Sequence, residues 1–276
     1  MAGAVKRFYP LCIRFCWYTY LLTQQPFVEA WFENWFGTRY YHLLYRHRDA
    51  GEAETFIRRI LEMYPPPPSA RVVDAACGKG RHSQFLARMG YWVDGFDLSV
   101  HNIQDAAREA PVKARFFVHD LRVPFADNYY DLLLNLFTSF GYFSCWEDNI
   151  KALVNFDETL KPGGYALIDF MNVTRVKQTL VPYEVLERNG VRFTVERVYQ
   201  PPYIKKFIAA EEHGQVHHFR EQVQALELED FEQMLSHTAF GLAGLHGDYK
   251  MRPFERQHSP RLILVLRKRL SDDPLG

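Results

Sequence analysis

The chain has 276 residues, 47% of them hydrophobic and 16% aromatic, enough for one large core with an appended subdomain. Lysine plus arginine equals aspartate plus glutamate at 33 each, so no global field recruits nucleic acid or an anionic membrane, and neither partner is expected. The four cysteines, Cys12, Cys16, Cys77 and Cys145, form no CxxC pair and no disulfide framework, which fits a reduced, cytoplasmic setting.

In chain order, Lys6 and Arg7 precede the apolar stretch "LCIRFCWYTYLLT". Arg14 interrupts it, no small-residue cleavage site follows, and it is too short to span a bilayer. Residues 1–26 therefore read as a loosely attached extension. Residues 27–66 read as a helical lid: "FVEAWFENWF" and "EAETFIRRILEM" carry apolar residues at helical spacing, with "YYHLLYRHRD" between them. "PPPP" at 65–68 stiffens the chain and sets the boundary with a core over 67–276.

Strand and helix then alternate. "RVVDAA", "YWVDGFDLS", "ARFFVHD", "YDLLLNLF" and "YALIDFMN" read as strands, and "RHSQFLARMG", "HNIQDAAREA" and "WEDNIKALVNFDETL" as the helices between them, with "KPGG" a turn before the fifth strand. Near-continuous apolar strands with helical crossovers predict an α/β, doubly wound, mostly parallel sheet covered on both faces. Over about 174–222 the texture changes to an antiparallel insertion, with strands at "RFTVERVYQ", "YIKKFIAAEEHG" and "HHFREQVQAL". "LEDFEQMLSHTAF" reads as a helix with Gly241 just past its end, and "RLILVLRKR" as the last strand.

The chemistry concentrates in "VVDAACGKGRH", residues 72–82: a strand, a Gly-rich turn and a helix start, where a ligand meets bare backbone. A P-loop needs Lys-Ser/Thr after its last glycine, but Arg81 and His82 follow Gly80. A dinucleotide fingerprint needs a third glycine where Ser83 stands, which leaves that reading weak. S-adenosylmethionine has no phosphate and needs no anion cradle. Asp74 at the first strand end suits its ammonium, Asp97 at the second its ribose hydroxyls, and Asp120 at the third its adenine amine. Any one of these aspartates is equally a cap or turn former; three in succession after a glycine turn are not easily explained that way.

In Asp74, Ala76, Gly78 and Gly80, in "ACGKGRH" and in "LKPGG", the chain resembles the class I S-adenosylmethionine-dependent methyltransferases, the bacterial small-molecule branch in particular, over roughly residues 36–268. Ala76 stands where the family has its first glycine. The resemblance implies a seven-stranded sheet of order 3-2-1-4-5-7-6 with strand seven antiparallel, S-adenosylmethionine as cofactor, and methyl transfer to O or N of a small-molecule acceptor. It also implies that the turn (Asp74, Ala76, Cys77, Gly78, Gly80), Asp97 with Leu98, Asp120 with Leu121, and Asn135 contact the cofactor.

From the lid segment, Tyr41 and Arg48 are candidates to close over the cofactor, Arg48 as a partner for its carboxylate, and Tyr45 to meet the acceptor. Phe140 and Tyr142 either wall the acceptor pocket or pack beneath the next helix. Tyr142, His217 and His218 are weak candidates for a catalytic base, which methyl transfer does not strictly require. No metal spacing is present. The aromatics of the insertion suit a pocket lid or a contact between two copies, so a homodimer stands as a partner expectation. An RNA or protein methyltransferase and a catalytically inactive cofactor-binding module are the alternatives. Balanced charge weighs against the first and the intact acidic triplet against the second.

Overall fold

The computed structural model describes residues 33–45 and 50–270. Two short helices come first, α1 (Glu33–Phe36) and α2 (Arg39–Leu44), followed by α3 (Ala50–Met63). The sheet-building part runs β1 (Arg71–Ala75), α4 (Arg81–Arg88), β2 (Trp92–Asp97), α5 (Val100–Arg108), β3 (Ala114–Val118), β4 (Tyr130–Asn135), α6 (Trp146–Thr159) and β5 (Leu160–Met171). After α7 (Val173–Thr179) come β6 (Tyr183–Arg188), β7 (Val191–Gln200), β8 (Tyr203–Glu212) and β9 (Gln215–Gln224), then α8 (Leu228–Leu235), β10 (Phe240–His246) and β11 (Arg261–Lys268).

Seven strands form one sheet in the order β10-β11-β5-β4-β1-β2-β3, so β11 and β10 hold the places of the expected strands seven and six. β1 pairs in parallel with β2 and β4, and β11 runs antiparallel between β5 and β10. The sheet is Rossmann-like, in the order that the resemblance implies. Alternate residues of each central strand feed opposite layers, as the two-residue strand period requires. Val73, Leu133, Ile168 and Leu264 pack with Phe156 of α6 and Phe231 of α8. Val72, Leu132, Leu167 and Ile263 pack with Phe56, Ile57 and Ile60 of α3 and Leu86 of α4.

That places α3 in the core. The sequence groups "EAETFIRRILEM" with the lid, but its apolar stripe carries Phe56, Ile57 and Ile60 at 0% exposure under the main sheet. Two further differences concern strands. The helix expected through Phe240 ends at Leu235, and Gly241 lies inside β10. The insertion has four strands, β6 being the addition, in an antiparallel sheet of order β6-β7-β8-β9. The expected 1–26 extension lies outside the described residues. Among the described residues no helix is long and apolar enough to cross a membrane.

In the main sheet the order reverses between β1 and β4, where helices leave toward opposite faces and a crevice opens at the strand ends. Every candidate on the glycine turn sits there.

Candidate functional site

The turn after β1 is built from left-handed backbone. Ala76, Gly78 and Gly80 have φ of 60°, 57° and 73°. It is tied to β2 by Cys77 N donating to Phe96 O at 2.9 Å, and closed on itself by Gly80 N donating to Cys77 O at 3.0 Å. The two glycines answer different needs. A Cβ on Gly80 would stand 2.5 Å from the Phe116 ring, so packing under the turn excludes one. A Cβ on Gly78 would meet nothing within 4 Å and would project into open space. Ala76 holds the same left-handed conformation with a side chain, at a cost of roughly 1–2 kcal/mol.

The aspartates differ in how they are held. Asp74 is 1% exposed and accepts a 2.6 Å bond from the Ser83 hydroxyl. Burial pushes its carboxyl up to about 6, with the Ser83 bond opposing and the charge of Asp97 adding. Asp97 accepts from Gly78 N and from Ser99 N, both at 2.9 Å, so it ties the turn to the start of α5. Burial raises its pKa against those two bonds. Asp120 is already gripped by Arg122, whose Nη2 donates to it at 2.6 Å. Burial acts to raise its pKa, but the Arg122 bonds hold it below the usual value.

Around the turn lies a cavity of about 780 Å³. Its cofactor-side lining includes Asp74, Ala76, Cys77, Gly78, Asp97, Leu98, Asp120 and Leu121. His82 also lines it; stacked on Phe137 and with its Nε2 unpartnered, it is held neutral by burial, its pKa pushed down to about 3. Opposite, Tyr41, Tyr45, Tyr142, Met171, Ile204 and Val223 make a largely apolar wall.

Two charged clusters brace that wall. After β4, Phe137 and Thr138 are both left-handed, with φ of 58° and 59°. Asp169 of β5 accepts from Phe137 N at 2.8 Å, and Arg261 of β11 donates to Asp169 at 2.7 Å and to Thr138 Oγ1 at 2.8 Å. On the other side Glu221 of β9 accepts from Trp35 Nε1 and from the Tyr45 hydroxyl, each at 2.7 Å, and pairs with Lys206 at 2.8 Å. Glu212 similarly takes Arg39 and the Tyr40 hydroxyl. Helices α1 and α2 are thereby latched to the insertion sheet over the cavity.

A family model described as a methyltransferase domain matches residues 72–164, the segment from β1 to the glycines of β5. Over 141 residues the chain is 29% identical to a malonyl-[acyl-carrier protein] O-methyltransferase from Erwinia pyrifoliae, covering 48% of this chain and 49% of that one. Over 199 residues it is 26% identical to a dTDP-3-amino-3,4,6-trideoxy-alpha-D-glucopyranose N,N-dimethyltransferase from Streptomyces venezuelae, covering 66% and 78%. The chain spans about half the length of most of the curated relatives it matches. Among solved structures, an S-adenosylmethionine-dependent methyltransferase from Clostridium acetobutylicum superposes with a TM-score of 0.71 at 18% identity, covering 83% of this chain and 96% of that one. That likeness concerns the fold.

Several residues expected at the site stand elsewhere. Asn135 is fully buried and donates to Ala75 O at 3.0 Å; it braces the tip of β1 and does not line the cavity. Phe140 is 0% exposed and packs on Phe156 and Phe231, because the left-handed pair before it turns its ring under α6 and α8. Gly80 caps α4 beneath the turn. His217 packs on Tyr40, His218 lies on β9 as well, and neither lines the cavity. Arg48 lies outside the described residues. Asp169, Arg261, Lys206 and Glu221 were not anticipated. Their signal was present: a lone charge inside "YALIDFMN", and a polar alternation in "HHFREQVQAL" whose inward face is invisible without its partner strand.

Proposed function

We propose that the chain is an S-adenosylmethionine-dependent methyltransferase that transfers a methyl group to O or N of a small-molecule acceptor. The observation that carries this reading is the pairing of Asp97 with Gly78: a buried carboxylate held against a turn that is bare toward the cavity. That combination suits a flat, phosphate-free adenosyl ligand. Asp97 would take the ribose hydroxyls, Leu98 and Leu121 the faces of the base, and Asp74 the amino group. Asp120, already committed to Arg122, would contribute to the adenine end mainly through the loop it shapes.

Bound there, the cofactor supplies an electrophilic methyl on a sulfonium centre. The protein's part is to hold the acceptor in line and to exclude water, and orientation of this kind is worth up to ~7–11 kcal/mol in favourable systems. Tyr41, Tyr45 and Tyr142 with α1 and α2 provide the cover, and the clamp of Asp169 and Arg261 fixes the loop beside the acceptor. A small acceptor agrees with the aromatic residues Tyr41, Tyr45 and Tyr142 along the cavity and with the balance of charge; cytoplasmic location belongs to the same reading.

The test is calorimetric titration of S-adenosylmethionine and S-adenosylhomocysteine, followed by incubation with labelled cofactor and a small-metabolite extract. Saturable heat with both ligands and a labelled low-mass product are expected. Absence of heat and of any thermal shift with either ligand would remove the reading.

A further inference from the structure

A second cavity, of about 400 Å³, adjoins the main one, and Tyr45, Glu184, Arg197 and Lys206 line both. It takes its remaining lining from Leu44 on α2 and from Leu186 and Arg188 on β6. Glu184, Leu186 and Arg188 alternate along β6, so one strand face supplies all three.

The charges in this wall are arranged against their own interest. Arg197 of β7 stands directly opposite Lys206 of β8, and like charges facing each other across paired strands are destabilising. Each has a counterion: Glu184 at 2.6 Å from Arg197, and Glu221, which faces the main cavity, at 2.8 Å from Lys206. Among the described residues Arg188 has none, and its Nη1 donates to the Glu187 carbonyl at 2.9 Å. Among the described lining residues, three cations therefore face one carboxylate in a concave site. Arg197 is committed through Nη2 to Glu184 and through Nη1 to the Val181 carbonyl, so the guanidinium open to an oxyanion is that of Arg188.

We propose that the second cavity is an oxyanion subsite that takes a phosphate or diphosphate group of an elongated acceptor, whose methyl-accepting end lies in the main cavity. The acceptor half of this proposal rests on the methyltransferase reading. The gate between the two ends is the wall of Tyr45, Lys206, Arg197 and Glu184. An anion seated behind it would pair with Arg188 and fix how far the acceptor reaches toward the glycine turn.

The experiment is titration of inorganic pyrophosphate into the full chain saturated with S-adenosylhomocysteine, comparing wild type with Arg188→Gln. Arg188 is exposed at a hairpin end, so the variant leaves the core untouched. Saturable binding that weakens about tenfold in Arg188→Gln, the loss of one charged hydrogen bond, is expected, with the affinity for S-adenosylhomocysteine unchanged. No pyrophosphate binding to wild type, equal affinity in the variant, or displacement of S-adenosylhomocysteine by pyrophosphate would each overturn the proposal. Absence of S-adenosylhomocysteine binding would instead remove the methyltransferase reading, and the acceptor half with it, whatever pyrophosphate does.

Discussion

Gly78 and Gly80 share a left-handed backbone, yet a methyl group added to each has a different fate. Gly80→Ala drives a Cβ into Phe116 at 2.5 Å and should destabilise the fold by about 1–3 kcal/mol, measured by urea melts. Gly78→Ala meets no atom within 4 Å and should cost only the left-handed penalty of roughly 1–2 kcal/mol. Because that methyl projects into the cavity, its larger effect should be loss of S-adenosylhomocysteine binding, read by calorimetry on folded protein. Equal binding by this variant would mean that the ligand does not lie against the turn.

Asp74 makes a pH prediction. Its folded pKa of about 6 lies above the ordinary 3.8, so between those values the folded state keeps a proton that the unfolded chain has released. Its contribution to stability is therefore full below the unfolded value and is lost as pH rises through about 6. Asp74→Asn cannot ionise, so relative to wild type it should gain stability as pH rises from 3.8 to about 6 and hold that gain at higher pH. A flat difference in urea midpoints across that range would contradict the assignment. At this scale the sequence was informative about small and acidic residues, since Asp74, Gly78 and Asp97 announce themselves by position in a strand-turn-helix. Asn135 and Phe140 were not legible in the same way. Which side of a loop such residues face depends on two left-handed residues that carry no glycine to betray them.

Among the elements, the latch between α2 and β9 is held by Glu221, with Trp35, Tyr45 and Lys206 all directed at one carboxylate. Glu221→Gln should leave Lys206 without its counterion and loosen α1 and α2 selectively. Limited proteolysis should then cut faster within residues 33–45, while the midpoint of the main unfolding transition moves little. Unchanged cleavage would mean that apolar contacts such as Trp35 on Phe219 hold the helices unaided. Elements with strong periodicity were legible from sequence: β1, β2, β4, β5 and β11 are apolar runs, and their helices carry clear stripes. β10 was missed because "FGLAGLH" contains two glycines and follows a helix with no proline to stop it. α3 was recognised as a helix but not as a core helix, since amphipathicity tells that a face is buried and not what buries it.

For the whole molecule, a ligand that binds only the folded chain stabilises it by mass action. At about a hundredfold excess over Kd the gain is ~2.7 kcal/mol, which for a chain of this size corresponds to a rise in Tm of roughly 5–10 °C. S-adenosylhomocysteine should produce that shift in a thermal melt, and Asp97→Ala should abolish most of it. A wild-type shift that survives Asp97→Ala would place the ligand elsewhere. The sheet order was foreseeable because it follows from resemblance and from handed crossovers. The cover over the cavity was not, because it is assembled from α1, α2 and the insertion sheet, which are remote in sequence.

The clamp on the loop after β4 has a consequence for how the protein comes into being. The glycine turn and its aspartates leave a ribosome long before Arg261 does, and β11 must thread between β5 and β10 to deliver that guanidinium. A nascent chain halted short of it would own the whole glycine turn while the neighbouring loop was still unpinned. The shape of that loop is therefore set late in synthesis, with β11 serving as the keystone.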